Sequence, residues 1–385
     1  MKNYLPLFVF FICAWSCNAP AKQAPQVTRD SLLAYKAPVL DPGEAKKYNE
    51  IVSRFVDHNL SEKRFNGGIL VAKNGVIVYE RYSGFSNIKT KDSMDAETSL
   101  QVASTGKTLT AAAVLKLVQE GRMNLNDPVT KFFPAFPYPD VNVKMLLNHR
   151  SGLPNYLYYM EEMGWNRKVT ATNEDVLHSL IKWKPAPTGR AGARFNYCNT
   201  NYVILALIIE QVAGVSFAAY MEENFFKPLK MEHSFVRTPS DSADVIYSYQ
   251  PNGALWPPDF TDGPYGDKNI YSTPRDLLKW DQALYDGRII STSLLDSAFT
   301  PYSNEKPGIK NYGLGWHLLM LPNEKKVIYH NGRWHGFNST FARLTDEHIT
   351  IIMTCNRMNM GVYQIAKKMY NLFGPYDGRS HGDED

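Results

Sequence analysis

Two β-rich runs near the amino end and three near the carboxyl end enclose a mainly helical middle, and this distribution restricts the fold more than any other feature. The first pair, Gly68–Ala72 and Val76–Tyr82, is joined through Lys73-Asn74-Gly75. Asn-Gly between β-rich runs is a strong hairpin signal. The last three, Lys326–Tyr329, Phe337–Leu344 and Ile349–Cys355, are separated by turns, with Asp346-Glu347-His348 as a hairpin tip. Strands contributed by both ends of one chain predict a five-stranded antiparallel sheet flanked by helices. The segment from about 100 to 300 would be a largely helical inserted lobe, which makes the fold class α+β. A cleft between lobe and sheet is where a site is expected.

The helical segments carry their own punctuation. Lys46–Asn59 has Ile51, Phe55 and Val56 at helical spacing. Thr108–Glu120 is apolar on nearly every side and stops at Gly121, so it reads as a buried helix with a glycine cap. Asn201–Ala213 repeats that design before Gly214, and Ser216–Phe226 is expected to end ahead of Pro228. Thr273-Pro274-Arg275-Asp276 opens a helix to Leu284, with proline in the first turn and an acid three residues after the cap. Gly361–Phe373 closes the fold as an amphipathic helix.

The amino terminus reads as a targeting segment. Lys2 precedes Leu5–Ile12, an apolar stretch too short to span a bilayer comfortably. Ala14-Trp15-Ser16-Cys17 then resembles a bacterial lipoprotein signal in which Cys17 is acylated, although Trp15 is bulky for a processing site. Cleavage after Ala21 and an uncleaved anchor are the alternatives. The expected layout is a signal over 1–17, a tether over 18–43, a folded domain over 44–374 and a polar tail over 375–385. The expected location is the cell envelope, periplasmic and lipid-anchored. Cys198 and Cys355 form no disulfide framework and are expected as free thiols.

Composition excludes some classes of function. Forty-two basic residues face thirty-eight acidic ones without long like-charge blocks. A nucleic-acid partner needs a concentrated basic stripe, and none exists. No His-Glu-x-x-His or paired-cysteine pattern is present, so neither a metal nor a cofactor is expected.

Ser104-Thr105-Gly106-Lys107 is the first arrangement that carries chemistry. Positions i and i+3 share a helix face, so the lysine can reach the serine oxygen. A serine on the first turn also presents its own N–H to an oxyanion. The same spacing recurs at Ser86/Lys89, Ser179/Lys182 and Ser303/Lys306. Only Ser104 opens the most apolar helix of the chain, where burial lowers a lysine pKa toward that of a useful base. The second arrangement, Tyr197-Cys198-Asn199, stands just before the helix from Asn201. Tyrosine there could serve as a base if a lysine charge stabilised its phenolate, or simply cap a core. Tyr-x-Asn recurs at Tyr302 and Tyr329. Cys198 reads as small filler, His149 as a hydrogen-bonding turn residue, and Gly266-Asp267-Lys268 as a loop turn.

Ser104-x-x-Lys107, Tyr197-x-Asn199 and His330-Asn331-Gly332 together resemble, in order, the three signature elements of the class C β-lactamase and D,D-peptidase family. The serine–lysine and Lys-Thr-Gly-type elements are an established pattern of the wider β-lactamase group. Leu146–Pro154, Asn199-Thr200-Asn201-Tyr202 and Ile270-Tyr271-Ser272-Thr273 are similar to it as well, and the likeness runs from about Phe65 to Phe373. The resemblance implies an exported serine hydrolase that forms an acyl-enzyme with a small-molecule or peptide acyl donor. Ser104 would attack a carbonyl while Lys107 and Tyr197 share the proton transfers. Asn199 would orient Lys107 and the substrate amide, the strand from His330 through Gly332 would line the cleft, and the N–H groups of Ser104 and Arg333 would bind the oxyanion. Classical β-lactamases carry lysine where this chain has His330. A permanent cation for a substrate carboxylate is therefore missing at that position; Arg333 could compensate, but bulky Trp334 and His335 follow it, which favours an esterase, amidase or peptidase. An acyl-accepting sensor or a degenerate binding module is the competing reading.

Overall fold

The computed structural model describes residues 39–60, 65–238 and 247–377. Cys17, the signal and most of the tether lie outside the described residues, as does the end of the tail. The described residues belong to one compact unit.

Helix α1 (Pro42–Asn59) begins four residues earlier than the pattern predicts. Asp41 accepts from the N–H groups of Gly43 and Glu44, and Pro42 sits where a missing N–H costs nothing. Strands β1 (Gly67–Lys73) and β2 (Val76–Ser83) form the expected hairpin, with Asn74 and Gly75 both at positive φ. Helix α2 (Lys107–Gln119) has ten of its thirteen residues buried, as an all-apolar helix must. It packs on helix α3 (Thr200–Ala213), also buried along its first ten residues.

The segment after α3 departs from expectation by running past Pro228. Helix Phe217–Met221 passes into a π turn, Glu222–Phe226, and on through Lys227–Leu229. The N–H of Lys227 bonds to the carbonyl of Glu222, five residues back, and a new turn then starts at the proline without needing its absent donor. Helix α4 (Pro274–Asp286) begins as predicted, with Thr273 accepting from the N–H of Asp276.

The carboxyl-terminal half supplies strands β3 (Lys310–Tyr312), β4 (His317–Met320), β5 (Lys326–Trp334), β6 (Phe337–Leu344) and β7 (Ile349–Cys355), followed by helix α5 (Gly361–Met369). The sheet has seven strands, in the order β2-β1-β7-β6-β5-β4-β3, with every neighbouring pair antiparallel. The five-strand expectation missed β3 and β4. They span only three and four residues, too few to display a period of two.

Both faces of the sheet are covered, so β6 and β7 are buried at every position; β7 is mostly apolar, whereas β6 buries Asn338, Ser339, Thr340 and Arg343 among its apolar residues. Ile69, Val71, Ala342 and Ile351 pack with α1 and α5 on one face. Leu70, Ala72, Phe341 and Ile352 share the larger core with α2 and α3 on the other. Helix α4 is fixed to the sheet by a buried ion pair, Arg343 Nε to Asp281 Oδ1 at 2.5 Å, with Thr350 donating to the other carboxylate oxygen at 2.6 Å. Among the described residues no single helix is long and apolar enough to cross a membrane.

Candidate active site

Strand β5 and the turn that opens α2 approach unusually closely. Leu100–Gln101 pairs with Ile270–Ser272, the N–H of Val102 bonds to Ile270, and the chain then tightens into a 3₁₀ turn over Ala103–Gly106. Ala103 has φ of 47°, a left-handed conformation costing about 1–3 kcal/mol outside glycine. Three hydroxyl contacts bind this turn to the sheet. Ser339 donates to the carbonyl of Val102 at 2.6 Å, and Thr105 meets the Ser339 hydroxyl at 2.8 Å and the His330 carbonyl at 3.2 Å. Gly332 makes the approach possible: a β-carbon there would lie 2.1 Å from the Val102 carbonyl oxygen. The result is that Ser104 sits at the mouth of α2, facing the edge of β5.

Lys107 is fully buried one helical turn on. Its Nζ donates to Ser104 Oγ at 2.9 Å, Asn199 Oδ1 at 2.9 Å and the main-chain oxygen of Asp267 at 2.7 Å, which uses all three ammonium donors. Burial pushes the amine down to about 7, the Asp267 carboxylate resists the shift, and the nearby Lys268 charge adds to it. In the three other serine–lysine pairs of this spacing no such hydrogen bond forms among the described residues. The Ser179 hydroxyl, for example, is held by Tyr159 and the carbonyl of Val176.

Tyr197 stands on the opposite wall, its ring centroid 5.2 Å from Lys107 Nζ. Burial drives its phenol above the ordinary tyrosine value, while the Ser104 hydroxyl works in the other direction. Lysine and tyrosine are thus pushed apart, the amine toward its neutral form and the phenol away from phenolate. This differs from the sequence expectation of a charge-stabilised phenolate. Desolvation, with Lys107 itself tending to neutrality, outweighs the charge that would have favoured it.

His149 packs its ring 4.2 Å from that of Tyr197 and accepts the N–H of Cys198 at Nδ1, 3.1 Å away. It is held well below the usual histidine range by burial and then by the Lys107 charge, so it acts as a neutral acceptor that fixes the 197–199 turn. Cys198 fills space beneath that turn, with burial pushing its thiol up to about 11. Cys198 and Cys355 are free and buried.

The third element is placed differently from expectation. His330 was expected on the cleft wall, but its side chain is 1% exposed. Its Nε2 lies 3.2 Å from the Tyr312 hydroxyl and its Nδ1 2.8 Å from the carbonyl of Asn331. Burial, followed by the His317 and Lys107 neighbours, holds the ring well below its ordinary value, hence neutral. Strand alternation explains the placement: His330 and Gly332 turn inward, whereas Asn331 and Arg333 turn toward the cleft.

The cleft encloses about 590 Å³, with Ser104, Tyr197, Asn199, His317, Arg333 and Trp334 on its walls. His317, which sequence reasoning passed over, stacks on Tyr197 and is held near 4 by burial and the Lys107 charge. The segment read as a plain loop turn, Gly266-Asp267-Lys268, lies beneath Lys107. Asp267 and Lys268 are each 2% exposed and form an ion pair at 3.5 Å. Tyr156 donates to Asp267 at 3.0 Å and accepts from Lys268, whose Nζ also lies 4.6 Å from the Trp334 ring centroid. Adjacent opposite charges beside glycine look like a solvated turn. The burial comes from Gly266, at φ of 91°, where a β-carbon would come within 2.5 Å of the Tyr202 carbonyl on α3. No local pattern in the sequence announces that contact.

Comparison with known proteins gives concordant results. The beta-lactamase family profile matches residues 27–373. Penicillin-binding protein 4* of Bacillus subtilis is 31% identical over 339 residues, covering 83% of this chain and 75% of that protein. The octameric penicillin-binding protein homologue from Pyrococcus abyssi superposes with a TM-score of 0.72 at 25% identity, over 88% of this chain and 79% of that one. The D-amino acid amidase from Ochrobactrum anthropi SV3 has the same fold, with a TM-score of 0.69 at 21% identity over 84% of this chain and 98% of that one.

Proposed function

The chain belongs to the beta-lactamase family, whose members are serine hydrolases, and from that premise we propose that it is an exported hydrolase working through an acyl-enzyme on Ser104. The observation that carries the reading is Lys107: a buried amine, three hydrogen bonds, one of them to the hydroxyl it would deprotonate. A base must be able to accept a proton at the working pH, and an amine held near 7 is largely competent there.

In the proposed sequence Ser104 Oγ attacks the substrate carbonyl carbon as its proton passes to Lys107 Nζ. The carbonyl oxygen becomes an oxyanion bound by the N–H groups of Ser104 and Arg333. One such donor typically contributes about 2.7–4 kcal/mol in the transition state. The side chain at position 333 can vary because the donor is main chain. Tyr197 remains neutral and donates toward the leaving group, with Lys107 restoring its proton. Asn199 fixes Lys107 and offers its amide to the substrate. Collapse of the tetrahedral species leaves an acyl-Ser104 ester, which water hydrolyses by the same relay.

The substrate class follows from which cations the cleft offers. His330 is neutral and turned inward, so it offers none to a β-lactam carboxylate, and the cation on the wall, Arg333, stands outside the position of the signature lysine and is followed by bulky Trp334 and His335. We therefore favour an ester, an amide or a D-amino-acid peptide over a dedicated β-lactamase role. The penicillin-binding and D-amino acid amidase relatives make amides and peptides the first compounds to try. The proposed layout keeps a lipoprotein signal over 1–17 with Cys17 acylated, a tether over 18–43, the catalytic domain over 44–374 and a tail over 375–385. The protein would then work in the envelope.

Turnover of p-nitrophenyl acetate beside a Ser104→Ala control tests the reading. Steady Ser104-dependent release supports a hydrolase. A single stoichiometric burst would make the protein an acyl-accepting sensor instead. D-Ala-D-Ala peptides, D-amino acid amides and nitrocefin then rank the substrate classes.

A further inference from the structure

A second cavity of about 890 Å³ adjoins the Ser104 cleft, and Phe195 and His317 line both. One wall comes from the segment that leads into Tyr197, the other from the loop ahead of β3. Arg150 holds the two walls together. Its guanidinium donates to the carbonyls of Gly192 and Tyr302, each at 2.9 Å, and pairs with Glu305. The cavity is therefore a braced feature of the fold.

Its lining has a definite chemistry. Phe195, Ile309 and Tyr312 give apolar surface, while Arg194, Lys306 and Lys310 bring three positive charges. The only acid on the lining, Glu305, is already neutralised by Arg150. Among the described residues neither Lys306 nor Lys310 has an ion-pair partner. Lys310 lies on β3 two residues from Tyr312, and its charge is felt at His317, which both cavities share. Uncompensated cations around a concave apolar surface attract an anion whose stem can cover that surface.

We propose that this cavity is a subsite for an anionic, apolar-stemmed arm of the acyl donor, with Lys306 and Lys310 as its charge partners. The inference rests on Ser104 being the acylated residue, because it is adjacency to that cleft, across the shared Phe195 and His317, that makes the cavity a subsite. It also supplies, at a different place, the cation that inward-facing His330 does not provide.

The test does not require turnover. Binding of 4-phenylbutyrate and of its neutral counterpart 4-phenylbutanamide to the full-length Ser104→Ala protein is followed by ligand titration. The carboxylate is expected to bind roughly three- to tenfold more tightly at low ionic strength, the gap closing as salt rises. The Lys306→Glu/Lys310→Glu double variant should abolish or invert that preference, and Arg194→Glu should weaken it. The three side chains are exposed, and circular dichroism checks that the variants fold. Equal affinities, no binding of either compound, or a preference that survives the double charge reversal overturns the subsite. Loss of Ser104-dependent turnover would instead strike the hydrolase reading.

Discussion

Lys107 Nζ lies 2.9 Å from Ser104 Oγ, one helical turn away, at the start of a helix that is buried along most of its length. That contact links protonation to activity. Below pH 7 the amine holds its proton and cannot accept another; above it the neutral form prevails. kcat/KM for a neutral ester should therefore rise through about pH 7 and level off. The groups facing the amine are Ser104, Tyr197, Cys198, Asn199, Tyr202, Asp267, Lys268, His149, His317 and His330. The histidines are already neutral there, so the midpoint reports the lysine. A rate that climbs only above pH 9 would contradict this assignment.

Lys268→Met should move the same midpoint upward. The Lys268 charge is one of the causes that lower Lys107, and its removal also leaves the Asp267 carboxylate free to hold the Lys107 proton. Breaking a buried pair costs stability as well, on the order of 3–5 kcal/mol, which a thermal melt would register. An unshifted pH midpoint in a folded variant would show that the pair has no influence on the base.

Tyr197→Phe should lower kcat by roughly 10²–10⁴, the range for losing acid–base assistance. Lys107→Ala should fall in the same range. The double variant should lose far less than the product of the two, since residues in one relay are non-additive. Steady-state kinetics of the four proteins settles it, and full additivity would separate the two residues mechanistically.

Gly332→Ala tests the contact between strand and turn. The added methyl would sit 2.1 Å from the Val102 oxygen and 2.4 Å from Ser339 Oγ, so the strand must retreat from the turn carrying Ser104. Overpacking of this kind costs about 1–3 kcal/mol in stability. The loss of kcat should exceed what the melting temperature alone suggests, because the Arg333 N–H moves with the strand.

The sheet, the buried helices and the serine–lysine pair were legible because each rests on a local signal. Asn74-Gly75 marks the first hairpin, and the apolar run after Lys107 marks α2. What escaped depends on distant contacts. The short strands β3 and β4 carry no period, and the burial of Asp267 and Lys268 depends on Gly266 meeting α3. His330 was misplaced for a subtler reason. The inward face of β5 is fixed by its register with β6, where His330 pairs with Phe341, and a nine-residue strand mixing polar and apolar residues does not declare its buried face.

Anchoring is tested on the natural full-length chain. If Cys17 is acylated, the processed protein should partition into the detergent phase, and Cys17→Ser should make it soluble or leave it unprocessed. A mature terminus at Lys22 would point to simple secretion.

The central claim is that Ser104 is acylated. Treatment with a serine-directed fluorophosphonate, followed by peptide mapping, reads it directly. One adduct per chain is expected, on the peptide bearing Ser104, with labelling abolished by Ser104→Ala in a protein of unchanged fold. An adduct that persists in that variant, at Ser86, Ser179, Ser303 or elsewhere, would contradict the account.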